Sequence, residues 1–158
     1  MGWVRNIFTA SFSMSDFKKL RVWRKAHALT LNVHRVAASI RGSQYAALRS
    51  QMIRAAMSVS ANIVEGRERK TEREFGQFLG YALGSTSELE HHLIVARDLG
   101  VTTRPDFSST LEQLIDVRKM LHGLLAKLSK TKSSPQGSVP PPSADGVERA
   151  AGSGKQRS

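Results

Sequence analysis

Ile53-Arg54-Ala55-Ala56-Met57-Ser58-Val59-Ser60-Ala61-Asn62-Ile63-Val64-Glu65-Gly66 is the stretch on which the reading of this chain turns. Apolar and small residues recur here at intervals of three and four, the period of a helix buried along one face. Leu48, Met52, Ala55, Val59 and Asn62 form one row, with Ile53, Ala56, Ser60 and Ile63 beside it. Many of these side chains are small, so another helix can come close. The pattern predicts a helix from Tyr45 to Val64 with Gly66 as its stop signal, because glycine is frequent just past a helix end. A basic run follows at once: Arg67, Arg69, Lys70 and Arg73.

Three more helices are predicted around it. Downstream, Thr71 stands three residues before Glu74, the spacing of a capping box, and opens a helix from about Glu72 to Leu99. Phe75, Phe78, Ala82, Ser85, Leu89, His92, Ala96 and Leu99 keep the three-four alternation, and Gly100 ends it. Gly76, Gly80 and Gly84 form a separate strip. Each glycine inside a helix costs about 1 kcal/mol relative to alanine, so three in line imply close packing there, within or between subunits. Upstream, Val22, Ala26, Leu29, Val33, Val36 and Ile40 set a helix from Asp16 to Ile40, widened by Trp23, Thr30 and Ala37. Asp16 is expected to cap its amino end or complement its dipole, and Arg41-Gly42-Ser43 is its expected end, with Gly42 as a left-handed cap. After Arg104-Pro105, the residues Phe107, Leu111, Leu114, Leu121, Leu125 and Leu128 predict a last helix from Asp106 to Lys130. Ile115 widens that row, and Arg118 interrupts it at the edge of the bundle. No run alternates with period two. The expected fold is all-α, an antiparallel up-and-down four-helix bundle.

The chain has 158 residues, enough for one domain. Residues 15–130 are the expected bundle. Residues 1–14 read as a disordered extension, or as sequence mis-assigned upstream of a start at Met14. Residues 131–158, rich in Pro, Gly and Ser, read as a disordered tail. The formal net charge is +11, and residues 15–130 alone hold 19 Lys and Arg against 11 Asp and Glu. The excess therefore sits on the folded body and favours anionic partners, nucleic acid before anionic lipid. There is no cysteine, which removes disulfides, thiolate metal sites and cysteine nucleophiles. No apolar run approaches the roughly 18 residues that span a bilayer, and a cytoplasmic location is expected.

No catalytic constellation emerges. Glu88-Leu89-Glu90-His91 contains one Glu-x-x-His, whereas a di-iron bundle needs two copies and two further glutamates. His27 and His34 share a helix face with no carboxylate opposite them. There is no Gly-x-Ser-x-Gly nucleophile elbow and no phosphate-binding Gly-x-x-x-x-Gly-Lys loop. The reading is a protein without catalytic residues, metal or other cofactor. Asn62, Glu65, Glu88 and Glu90 instead read as buried polar groups of an assembly network that fixes register, together with Gly66, Gly76, Gly80 and Gly84. A buried carboxylate needs a partner, and by position Arg54 is a candidate for it.

The basic residues form two groups, one opening helix 1 and one at the helix 2–3 connection. Lys18, Lys19, Arg21, Arg24, Lys25, Arg54, Arg67, Arg69, Lys70 and Arg73 are the candidate nucleic-acid contacts. The competing reading is a solvated surface that keeps the protein soluble. Only Trp23 and Phe17 are close enough in sequence to stack on bases, so recognition through shape and backbone is expected.

Phe17 to Trp23, Ala26-His27, Gln51 to Ala56, Ala61-Asn62-Ile63, Glu65-Gly66, Glu74-Phe75, Gly84-Ser85, Glu88-Leu89-Glu90 and Ala96 to Gly100 together carry a family resemblance. The chain resembles, over about residues 16–128, the bacterial four-helix-bundle proteins encoded in intervening sequences of 23S rRNA genes, the S23 family. That family name records gene location and does not make its members ribosome components. Members often carry Ser-Ile-Pro-Ala-Asn-Ile where this chain has Ser58-Val59-Ser60-Ala61-Asn62-Ile63, a loss of proline that should relax any kink. The resemblance implies a homopentamer of bundles. It extends to the accessory variability proteins of diversity-generating retroelements, which bind a reverse transcriptase and nucleic acid through basic surfaces. The expected function is thus a non-catalytic oligomeric module binding nucleic acid, structured RNA in preference to DNA. The alternative is a scaffold docking an acidic protein such as a reverse transcriptase.

Overall fold

The computed structural model describes residues 16–131. The assignments of an extension at residues 1–14 and of a tail at 131–158 lie outside the described residues, except that Thr131, assigned to the tail, is the last residue of a helix. Within them the chain forms α1 (Arg21–Ser39), α2 (Ala46–Arg67), α3 (Glu72–Asp98) and α4 (Arg104–Thr131), with single 3-10 turns at Phe17–Lys19 and Ser43–Tyr45 and no strand. Each helix packs on its neighbours in sequence, and α1 closes on α4. The fold is an antiparallel up-and-down four-helix bundle.

Its core follows the three-four rows. On α1, Val22, Ala26, Leu29, Val33, Val36 and Ala37 are all buried, and Ile40 joins them just past the helix. Met52, Ala55, Ala56, Val59 and Ile63 come from α2, and Leu114, Val117 and Leu121 from α4. The inward face of α3 is turned slightly from the expected row. Leu79, Thr86 and Leu93 are fully buried, whereas Leu99 is 52% exposed. Polar bonds tie the layers together: Thr30 Oγ1 donates to the Ala56 carbonyl at 3.0 Å, and Asn32 Nδ2 donates to Thr110 Oγ1 at 3.0 Å.

The helix ends show where local signals hold. Thr71 Oγ1 accepts from the Glu74 backbone N–H at 3.2 Å, the N-cap half of the expected capping box, while the Glu74 carboxylate accepts from the Thr71 hydroxyl at 2.7 Å in place of its backbone N–H. Thr103 and Asp106 repeat the arrangement at the start of α4. At the end of α3, Gly100 takes φ 66. Its N–H donates to Arg97, and that of Val101 donates to Ala96, the paired bonds of a Schellman cap.

Three expectations are corrected. Asp16 caps the 3-10 turn, accepting from the Lys18 N–H at 3.1 Å, and α1 begins only at Arg21 with no side-chain cap. Gly42 is not a left-handed helix cap: α1 ends in extended backbone at Ile40, and Arg49 donates to the Ile40 and Gly42 carbonyls at 3.1 and 2.8 Å. Gly66 does not stop α2, which runs on through Arg67. It is buried, and a Cβ built on it would meet Phe78 Cβ at 2.6 Å and Phe75 Cδ2 at 2.9 Å. Glycine is required there for close approach of α3, not for a turn. The Gly76-Gly80-Gly84 strip behaves oppositely. A Cβ on Gly80 or Gly84 would meet no described residue within 4 Å, and one on Gly76 only Leu125 at 3.7 Å, so no close packing among the described residues accounts for the strip. No helix among the described residues is long and apolar enough to cross a membrane.

Candidate nucleic-acid interface

An up-and-down order brings the start of α1, the α2–α3 turn and the end of α4 to one end of the bundle. The 3-10 turn at Phe17–Lys19 packs against both α1 and α2 there. The two basic groups, separated by some forty residues of sequence, therefore meet. Residues 16–25, 65–74 and 127–130 carry eleven Lys and Arg against five Asp and Glu. The described residues as a whole carry 19 against 11, so three quarters of their net charge of +8 lies at this end. The first turn of α1, uncapped by any side chain, adds the positive end of a helix dipole.

The cations at this end differ in freedom. Arg69 is held, paired to Glu65 and stacked 4.6 Å from the Phe78 ring centroid. Lys18 Nζ lies 6.0 Å from the Phe17 centroid. Lys19, Arg21, Arg24, Lys25, Lys70 and Arg73 are exposed and form no ion pair with any described residue. At the α2–α3 turn, Arg67, Arg69, Lys70, Thr71 and Glu72 line a small pocket of about 150 Å³ with Gly66 and Phe75. Beside the α1 cations, Phe17 packs edge-on against Trp23, and His27 stacks on Trp23 at 5.1 Å with planes 10° apart.

Arg54 does not belong to this cluster. It is exposed, thirteen residues before the end of α2, about 20 Å along the axis at 1.5 Å per residue. Nor does it partner a carboxylate among the described residues. Glu90 pairs with Arg118 at 2.6 Å, and Arg118 Nε also donates to Thr86 Oγ1 at 3.2 Å. Glu65 pairs with Arg69, and Glu88 lies 3.8 Å from His92. The expected buried network forms only in part: Glu65 and Glu88 are exposed and face partners four residues along the chain, whereas Asn62 Nδ2 donates to Ser58 Oγ at 3.1 Å, and Ser85 of α3 donates to the same oxygen at 2.9 Å. The described residues contain no cluster of three or more His, Asp or Glu able to hold a metal ion.

The model of the family described as "23S rRNA-intervening sequence protein" matches residues 18–123, about two thirds of the chain and nearly the whole bundle. The chain belongs to the 23S rRNA-intervening sequence protein family. A solved structure from Bacteroides thetaiotaomicron, described as a protein of unknown function from the S23 ribosomal protein family, has the same fold. It aligns with a TM-score of 0.62 at 21% identity, over 66% of this chain and 97% of that one. A comparison with curated proteins finds no match. In this family member α2 is continuous through Ser60, which donates to the Met57 carbonyl at 3.0 Å. The sequence reading of the family member's basic end missed Lys127 and Lys130. Their signal was topological, since the last turn of a fourth antiparallel helix must lie beside the start of the first.

Proposed function

We propose that this protein is a non-catalytic, oligomeric module that binds structured RNA through its phosphate backbone. The contacts come from the end of the bundle where α1 begins and α2 turns into α3. The observation that carries this reading is the convergence there of Lys18, Lys19, Arg21, Arg24, Lys25, Arg67, Arg69, Lys70 and Arg73. Six of these nine cations are exposed and unpaired among the described residues. Phosphate contacts of this kind give affinity and orientation with little base selectivity. Double-stranded RNA suits such a surface, since it is recognised mainly by shape, phosphates and 2′-hydroxyls.

Assembly is assigned to the outer face of α3. Tyr81 is 60% exposed there, and the Gly80 and Gly84 positions are open, which lets a second copy's backbone come close. The stoichiometry expected from the family resemblance is five. Repeating the basic end around a ring would multiply weak phosphate contacts by linking them.

The test is a gel-shift titration with a hairpin RNA at several salt concentrations. Neutralising about six phosphates at ~0.7 per phosphate predicts a slope of about −4 or steeper in log K against log salt. Binding that ignores salt would remove the electrostatic mechanism, and no binding would remove the proposal. The competing reading, an acidic protein docked on the same cations, predicts a partner retained from nuclease-treated lysate together with no RNA shift.

A further inference from the structure

The basic end carries an aromatic stack that contacts to phosphates alone leave unused. Phe17 of the 3-10 turn packs edge-on against Trp23 with centroids 4.9 Å apart, and the His27 ring lies on Trp23 at 5.1 Å with planes 10° apart. Trp23 is half-buried and packs against the core, so burial accounts for it. His27 has no such account. It is exposed, Trp23 is the one ring it contacts among the described residues, and neither of its ring nitrogens bonds to a described residue. One face of the imidazole rests on the indole, so the ring's accessible surface is its other face and its edge.

What surrounds that ring selects a ligand. Arg24 stands three residues before His27 on α1, a spacing that puts the two Cβ atoms about 5–6 Å apart, and both side chains are exposed. Leu31, four residues on along the same face, is apolar and 58% exposed. α1 contains no Asp or Glu, and α2 beside it contains only Glu65, which is paired to Arg69. An anion that approaches the stack therefore meets no unpaired carboxylate from either helix. A flat π-face with a guanidinium at its side suits a nucleotide, the base on the ring and the phosphate on the arginine. Within a continuous duplex both faces of every base are covered by its neighbours. Only an unpaired base, or the end of a stem, has a face to offer.

We propose that His27, backed by Trp23, is a stacking platform for one unpaired base beside the RNA stem whose phosphates the basic end binds. This rests on the RNA reading and narrows it: the ligand is a stem flanked by an unpaired nucleotide, and a continuous duplex binds less well. Every base has a π-face, so the platform selects a structure and tolerates sequence.

Two hairpin RNAs with the same stem test this, one blunt and one with a single unpaired 2-aminopurine at its 3′ end, a base analogue whose emission drops when it stacks. The full chain binds the second about tenfold more tightly, the order of one base–aromatic stack, and quenches its fluorescence. His27→Ala abolishes the preference and the quench, yet binds the blunt hairpin as wild type does, which separates a lost platform from a lost fold. His27→Phe keeps both signals, and His27→Lys, with a charge but no ring, loses both. Lys70→Gln with Arg73→Gln weakens the two hairpins equally. Equal binding of the two hairpins by wild type overturns the inference and leaves the RNA reading standing. So does a preference that survives in His27→Ala, or one lost in His27→Phe. Failure to bind either hairpin overturns both.

Discussion

Gly66 of α2 and Phe78 of α3 stand so close that a Cβ on the glycine would come within 2.6 Å of the phenylalanine Cβ. That contact sets the approach of the two helices just before the turn that carries Arg67, Arg69, Lys70 and Arg73. Arg69 in turn lies over the same Phe78 ring at 4.6 Å, so the packing of the hairpin and the placement of its cations share one side chain.

Gly66→Ala is therefore expected to destabilise the protein by about 1–2 kcal/mol, overpacking outweighing the ~1 kcal/mol helix-propensity gain. Gly80→Ala, in open space, should be neutral or stabilising in the isolated bundle. Urea denaturation of both variants checks the contrast. Equal stability of Gly66→Ala and wild type would contradict the close-approach role.

The same pair shows how far sequence carried. Bundle and helix number were legible because the rows on α1 and α4 hold their three-four spacing with few competing residues. Gly66 was misread because glycine near the end of an apolar row is also the usual mark of a helix stop. What distinguished the two was Phe75 and Phe78 on the next helix, and that clue requires knowing how α2 and α3 pack. The face of α3 was set slightly wrong for a related reason. Small residues such as Ala82 and Ser85 give little contrast, so the row through Leu79, Thr86 and Leu93 was passed over. The two basic groups were legible, but their meeting at one end followed from topology.

Asp106 gives a pH-dependent contribution. Hydrogen bonds first from Arg35 and then from Thr103 hold its carboxyl below the ordinary value. A carboxyl whose pKa is lowered on folding stabilises the fold above its unfolded pKa of about 3.9 and loses that contribution as pH falls through the lower folded value. Asp106→Asn, which keeps an oxygen for Thr103, should melt a few degrees below wild type near neutral pH. The gap should close as the solution is acidified below the ordinary carboxylate range. A gap independent of pH in thermal melts would show that charge is not what Asp106 contributes.

Gly84→Trp tests the assembly face. Nothing among the described residues opposes a side chain there, so circular dichroism should show undiminished helicity. Light scattering coupled to size exclusion should show wild type as an oligomer, five copies by the resemblance, and the variant as monomers. An unchanged oligomer would move the interface elsewhere.

The most direct measurement is the salt dependence of RNA binding, by fluorescence anisotropy, for cations chosen by position. Arg24→Gln with Arg73→Gln takes one cation from each basic segment at the shared end. It should flatten the log–log slope by about 1.4–1.8, two contacts at ~0.7–0.9 each. Arg41→Gln, at the far end beyond α1, should leave the slope unchanged. A slope unaltered by the double substitution, or flattened equally by Arg41→Gln, would contradict an RNA-binding surface at the α1 and α2–α3 end.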